Sequence, residues 1–167
     1  MIIAGFKGGK NYVEFLKSLI PDLTNKVYVE PFGGYFETLE HMDTKPIKSV
    51  YNDLYTYDKE IIADEIHHLD YKEIIEKYDS DNTIFYLDPP YLGKEKYYDI
   101  NQGEDNFEFY KELLGILKNI KGDWIMSHNT NHEIEKLFRD FNIYYYDEYS
   151  DYFNHKYEIL ISKNKLV

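Results

Sequence analysis

The chain has 167 residues, room for one domain with one hydrophobic core, and it contains no cysteine, which excludes disulfides, cysteine zinc sites and thiol chemistry. Its 31 acidic against 19 basic residues leave a formal net charge of −12, with Arg139 the only arginine, so nucleic acid is repelled unless a local lysine patch overrides the average. No apolar run approaches the roughly 20 residues of a membrane span, and Met1–Lys10 lacks the basic-then-apolar start of a signal peptide, which points to the cytosol.

In chain order, short runs of β-branched and aromatic residues alternate with amphipathic stretches. A helical pattern at Asn11–Leu19 precedes a strand at Lys26–Glu30. A second, Tyr35–Met42, leads to a strand at Ser49–Asn52, and a third, Thr56–Asp64, to a strand at Ile66–Leu69. Tyr71–Lys77 reads as helix and Thr83–Leu87 as strand. Phe107–Lys118 is a helix on the stripe Phe107, Tyr110, Leu113, Leu114 and Leu117. A strand at Asp123–Ser127, a helix at Asn131–Phe141 and strands at Asn142–Tyr146 and Tyr157–Ser162 close the chain.

This alternation predicts an α/β fold, a mostly parallel sheet with helices on both faces. Asp147–Lys156 is too short for a helical crossover, so the last two strands pair as an antiparallel hairpin. In such sheets a ligand sits beyond the carboxyl ends of the strands, near the reversal in strand order. Glu30, Asp53 and Asp88 stand at or just after three strand ends, and Asp70 follows a fourth.

The strongest local signal is Asp88-Pro89-Pro90-Tyr91. Two prolines stiffen the turn and remove two N–H donors, leaving carbonyls pointing outward. A carboxylate beside such a carbonyl makes two acceptors aimed at one point. They suit an –NH2 group that must be held and made nucleophilic, with the Tyr91 ring as a stacking face for a planar base. The competing reading is an ordinary strand-to-loop turn. Upstream, Gly33 and Gly34 after Glu30-Pro31-Phe32 allow a ligand to approach the backbone, or form a plain turn. Asp53, about 20 residues beyond that turn, suits ribose hydroxyls, although alone it reads first as a helix cap. Asp70 carries the same two readings. Lys7 and Lys10 astride Gly8-Gly9 suit an anionic group or form a solvated arm.

The order Gly-Gly-Lys10, Glu30-Pro-Phe-Gly-Gly34, Asn52-Asp-Leu54, Asp70-Tyr71 and Asp88-Pro-Pro-Tyr91 resembles the Dam-like DNA adenine methyltransferases. Trp124–Asn129 and Lys156–Ser162 are similar to that family's later strands, so the resemblance covers nearly the whole chain. It implies a Rossmann-like S-adenosylmethionine-dependent methyltransferase fold, residues 1–167 forming a single catalytic domain. It further implies methyl transfer to the exocyclic amino group of a flipped adenine. Phe6, Lys10, Glu30, Phe32 and Gly33 would line the cofactor pocket, Asp53 would hold the ribose and Asp70 would approach the cofactor adenine. Asp88 and the Pro89 carbonyl would accept from the target amino group, within the rigid Pro89-Pro90 turn, while Tyr91 would stack on the base. His128 and His132 lie four apart, but without a third ligand no metal site is expected.

This chain departs from the family pattern in two places. Only 34 residues separate Asp53 from Asp88, which leaves no room for a separate target-recognition domain. The glycine motif is also shortened, with Tyr35 and Phe36 following Gly34 directly. The reading is therefore an adenine methyltransferase of relaxed specificity, or one whose specificity a DNA-binding partner subunit supplies. Lys7, Lys94 and Lys96 would join Lys10 in a small basic rim for DNA, bound weakly and with single strands favoured. Tyr97, Tyr98 and the Gly103 loop would close over an extruded base, or pack in the core. The alternative is a non-catalytic acidic protein of the same fold, a degenerate partner subunit or DNA mimic. Methylation of an RNA base or a protein glutamine is a lesser variant.

Overall fold

The structure, a computed structural model, describes residues 10–92, 106–149 and 155–167. Seven strands form one sheet: β1 (Val27–Glu30), β2 (Lys48–Asn52), β3 (Glu65–His67), β4 (Thr83–Leu87), β5 (Asp123–Asn129), β6 (Asn142–Tyr149) and β7 (His155–Ser162). The helices are α1 (Lys10–Leu19), α2 (Tyr71–Tyr78), α3 (Asn106–Leu117) and α4 (His132–Leu137). The strand order is β3-β2-β1-β4-β5-β7-β6. Pairs from β3 through β5 are parallel, whereas β7 runs antiparallel to both β5 and β6. The expected parallel sheet with an antiparallel C-terminal hairpin is therefore present. All five residues of β4 are buried, which is why it reads as an unbroken apolar run rather than an alternating one.

Successive strand residues point to opposite faces, and each face has its own core. Val29, Val50, Phe85, Leu87, Trp124 and Met126 pack beneath Ile74 of α2, Leu113 and Leu117 of α3, and Ile134 of α4. Tyr28, Tyr51, Ile84, Tyr86 and Ile125 pack beneath Tyr12 and Leu16 of α1, together with Phe36, Leu39 and Met42. No helix among the described residues is long and apolar enough to cross a membrane.

Two expected helices are replaced by other structure. Within Tyr35–Met42 only a 3-10 turn forms, at Leu39–His41. Gly34 and Phe36 adopt positive φ values of 50° and 56°, left-handed conformations that prevent a helix from starting there. Thr56–Asp64 is not helical either. From Ile61 onward exposure alternates residue by residue, as in extended chain, and Ile62 is 79% exposed, so the apolar residues supply no helical stripe. Lys59 ties this segment to the Tyr35 carbonyl at 2.9 Å, and the Asp64 carboxylate accepts from the Ser49 N–H at 2.7 Å. The expected Asn131–Phe141 helix is shortened to α4, with Asn131 as its cap, accepting from the Glu133 and Ile134 N–H groups.

Candidate active site

Chain order reverses between the neighbouring parallel strands β1 and β4, and the crevice lies beyond their carboxyl ends. Glu30 ends β1, Asp53 follows β2 and Asp88 follows β4, so the fold brings these three carboxyl groups to one end of the sheet.

Asp88 is exposed, and Oδ1 accepts a 2.8 Å hydrogen bond from the hydroxyl of Ser127, a fully buried residue of β5. The Pro90 carbonyl accepts from the Tyr110 hydroxyl of α3 at 2.9 Å. Tyr91 is only 4% exposed; its ring stacks on His128, with centroids 4.6 Å apart, and its hydroxyl donates to Glu158 of β7 at 3.1 Å. The Leu92 N–H donates to His128 Nε2 at 3.1 Å. The turn after β4 is thus held along its length by β5, β7 and α3.

Glu30 is 3% exposed and accepts from the Tyr28 hydroxyl at 2.5 Å. Burial pushes its carboxyl well above the usual carboxylate range; the Tyr28 hydrogen bond opposes this and the Asp88 charge adds to it. Asp53 accepts from the Gly34 N–H and the Tyr55 N–H, each at 2.9 Å, and from the Tyr57 side chain. Burial raises its carboxyl, and those hydrogen bonds hold it down.

Gly33 is required by packing within the protein. A Cβ there would lie 2.3 Å from the Tyr51 ring, and its N–H donates to the Asn52 carbonyl at 2.8 Å. The Asn52 side chain, at the end of β2, joins the loops after β1 and β3, donating to the Pro31 and Leu69 carbonyls at 3.0 and 2.9 Å and accepting from the Leu69 N–H at 2.9 Å. Phe32 is half-buried against Tyr71 and Phe109, with centroids 5.2 and 6.0 Å away. Asp70 caps α2 through the Lys72 N–H, as the capping reading of that position expects. Lys10 is the first residue of α1. Phe6, Lys7, Lys94, Lys96, Tyr97, Tyr98 and Gly103 lie outside the described residues.

Among the described residues no cluster of three or more His, Asp or Glu side chains is placed to hold a metal ion. His128 is buried with both ring nitrogens engaged, and His132 is exposed at the start of α4. Sequence reasoning missed five residues that shape the site: Asn52, Tyr110, Ser127, His128 and Glu158. Ser127 and His128 carry a readable signal, being polar at the end of an apolar strand, whereas Tyr110 is hidden in its helix stripe.

The profile of D12 class N6 adenine-specific DNA methyltransferases matches residues 34–151. No curated protein matches the sequence. An rRNA methylase of Streptococcus thermophilus is similar in structure, at 10% identity over 93% of this chain and 95% of that one, with a TM-score of 0.54. A precorrin 8w decarboxylase of Methanobacterium thermoautotrophicum is similar at 13% identity, over 96% and 93%, with a TM-score of 0.55. A Streptococcus mutans protein described as a methyltransferase and solved with SAH is similar at 10% identity, over 96% and 100%, with a TM-score of 0.51. At these identities the likeness is one of fold, that of S-adenosylmethionine-dependent methyltransferases.

Proposed function

Because the chain belongs to the family of D12 class N6 adenine-specific DNA methyltransferases, we propose that it methylates the exocyclic amino group of adenine in DNA, with S-adenosylmethionine as donor. One observation carries this reading. Asp88, oriented by Ser127, stands at the strand-order reversal beside the β1 loop, where a cofactor and a target base meet in this architecture.

The residues present fit such a cofactor. A carboxylate offers about four acceptor positions, and Asp53 uses three, on Gly34, Tyr55 and Tyr57. A ribose hydroxyl would take the fourth or replace the Tyr57 hydroxyl. Glu30, Phe32 and Gly33 would line the same pocket, with Phe6, Lys10 and Asp70 assigned to it by the family resemblance. When bound, the cofactor supplies a methyl group activated by a sulfonium.

The rest is done by this chain. An adenine amino group is a poor nucleophile because its lone pair is delocalised into the ring. Asp88 and the Pro89 carbonyl accept its two N–H bonds and favour a tetrahedral nitrogen. Both acceptors gain strength as positive charge develops there, which is transition-state stabilisation. The Pro90 carbonyl is already taken by Tyr110, which supports giving the acceptor role to Pro89. The base-stacking role of Tyr91 rests on the family resemblance alone, because its ring is 4% exposed with one face on His128.

The net charge of −12 favours weak DNA binding by a single catalytic domain, with relaxed specificity or a DNA-binding partner subunit to supply it. An adenine already unstacked, as in a single strand, saves a few kcal/mol of flipping. The test is calorimetric titration with S-adenosylmethionine, followed by methyl transfer to single- and double-stranded DNA. Asp53→Ala should weaken cofactor binding, whereas Asp88→Ala should abolish transfer and leave cofactor binding intact. A folded protein that binds cofactor and methylates no DNA, with or without a partner, overturns the adenine reading.

A further inference from the structure

We propose that His128 is a positioning residue for methyl transfer: its neutral ring, held in one tautomer, keeps the turn after β4 in the shape that presents Asp88 and the Pro89 carbonyl. The inference rests on the reading of that turn as the transfer site.

His128 is fully buried on β5. Its Nδ1 lies 2.6 Å from the Asn129 carbonyl oxygen, which can only accept, so Nδ1 carries the proton. Nε2 lies 3.1 Å from the Leu92 backbone nitrogen, which can only donate, so Nε2 is bare. Both partners are main-chain groups, and only the neutral Nδ1–H ring satisfies them together. The face of the same ring stacks on Tyr91 at 4.6 Å, and its side meets the Tyr110 ring at 5.3 Å. Tyr110 in turn holds the Pro90 carbonyl. Three consecutive turn residues are therefore secured through His128 or through a ring packed on it.

Adjacent strand residues face opposite sides of the sheet, so β5 grips the turn from both. Ser127 takes Asp88 on one side, while His128 takes Tyr91 and Leu92 on the other. A protonated ring would set Nε2–H against the Leu92 N–H, donor against donor, and release the turn. Among the described residues, the titratable groups packed on the ring are Tyr91 and Tyr110, with Glu158 of β7 behind the Tyr91 hydroxyl.

The test compares His128→Ala and His128→Gln with the wild type, Gln supplying an acceptor that does not titrate. His128→Ala should lower kcat by about ten- to a hundredfold, the scale of a small misplacement of reacting groups, with S-adenosylmethionine affinity unchanged. His128→Gln should recover much of kcat and lose the acid limb that His128 gives the wild-type pH profile. Hydrogen exchange at the Leu92 amide reads the same contact without any turnover. It should be slow in the wild type, fast in His128→Ala, slow again in His128→Gln, and faster in the wild type as the pH is lowered. If the wild type transfers no methyl group, the functional reading fails and the exchange pattern alone judges the hold on the turn. If His128→Ala does not fold, His128→Gln and the wild-type pH series decide. Unchanged kcat, a Leu92 amide indifferent to His128, or an acid limb retained in His128→Gln overturns the proposal.

Discussion

The hydroxyl of Ser127, fully buried on β5, donates a 2.8 Å hydrogen bond to Oδ1 of Asp88, the exposed carboxylate that follows β4. The two strands are parallel neighbours, with Tyr86 opposite Ile125 and Leu87 opposite Met126, so the register sets Ser127 level with Asp88. The bond ties the carboxylate to β5 at the strand-order reversal. A hydrogen bond to a charged group is worth about 1.5–3 kcal/mol. Ser127→Ala should therefore lower kcat roughly tenfold or more, with cofactor affinity unchanged. Single-turnover kinetics beside calorimetry check this, and an equal loss of both would assign Ser127 to the fold instead.

Glu30 makes stability depend on pH in a direction unusual for a carboxylate. Burial raises its pKa in the folded protein. Below roughly pH 4.3, the ordinary glutamate value, both folded and unfolded chains hold the proton and nothing is lost. As the pH rises beyond that, the unfolded chain releases its proton first, and stability declines until the folded pKa is passed. Glu30→Gln keeps an acceptor for the Tyr28 hydroxyl and cannot ionise. It should match the wild type in urea near about pH 4 and exceed it near about pH 8. Parallel pH dependences for the two proteins would show that Glu30 ionises as readily folded as unfolded.

Gly33→Ala should destabilise the fold by about 1–3 kcal/mol, because its Cβ would meet the Tyr51 ring at 2.3 Å. Shrinking the ring relieves the clash, so Gly33→Ala with Tyr51→Leu should cost less than the sum of the two single changes. Urea midpoints of the four proteins give the coupling. Strict additivity would mean that the loop moves away from Tyr51.

Phe36 holds a left-handed φ of 56° while buried against Tyr51 and Tyr28, with centroids 5.5 and 6.4 Å away. Removing a buried Phe costs about 3–5 kcal/mol and the strained backbone stores about 1–3 kcal/mol. Phe36→Gly relieves the second and forfeits the first, so a net loss of about 2 kcal/mol is expected. A more stable variant by thermal melting would reverse that ranking.

Much of the fold is legible in local pattern. Thr83–Leu87 reads as a buried strand because every residue in it is buried, and the α3 stripe reads as helix because one face meets the sheet. The short Asp147–Lys156 connection foretells the hairpin, with β6 and β7 running further than their apolar cores. Local pattern fails at Tyr35–Met42 and Thr56–Asp64. Helical composition there yields to left-handed residues in one case and to long-range ties from Lys59 and Asp64 in the other.

The candidate site divides along the same line. Asp88-Pro89-Pro90-Tyr91, Glu30 and Asp53 are visible in sequence because chemistry at strand ends is encoded by neighbours along the chain. The packing of Gly33 on Tyr51 and the capping of α2 by Asp70 were decided by the tertiary structure. So was the support of the turn after β4. Leu92 and His128 are 36 residues apart, and Tyr91 and Glu158 are 67 apart. Contacts of that span depend on strand order and register, which arise only when the whole sheet buries its two faces, and no local spacing records them.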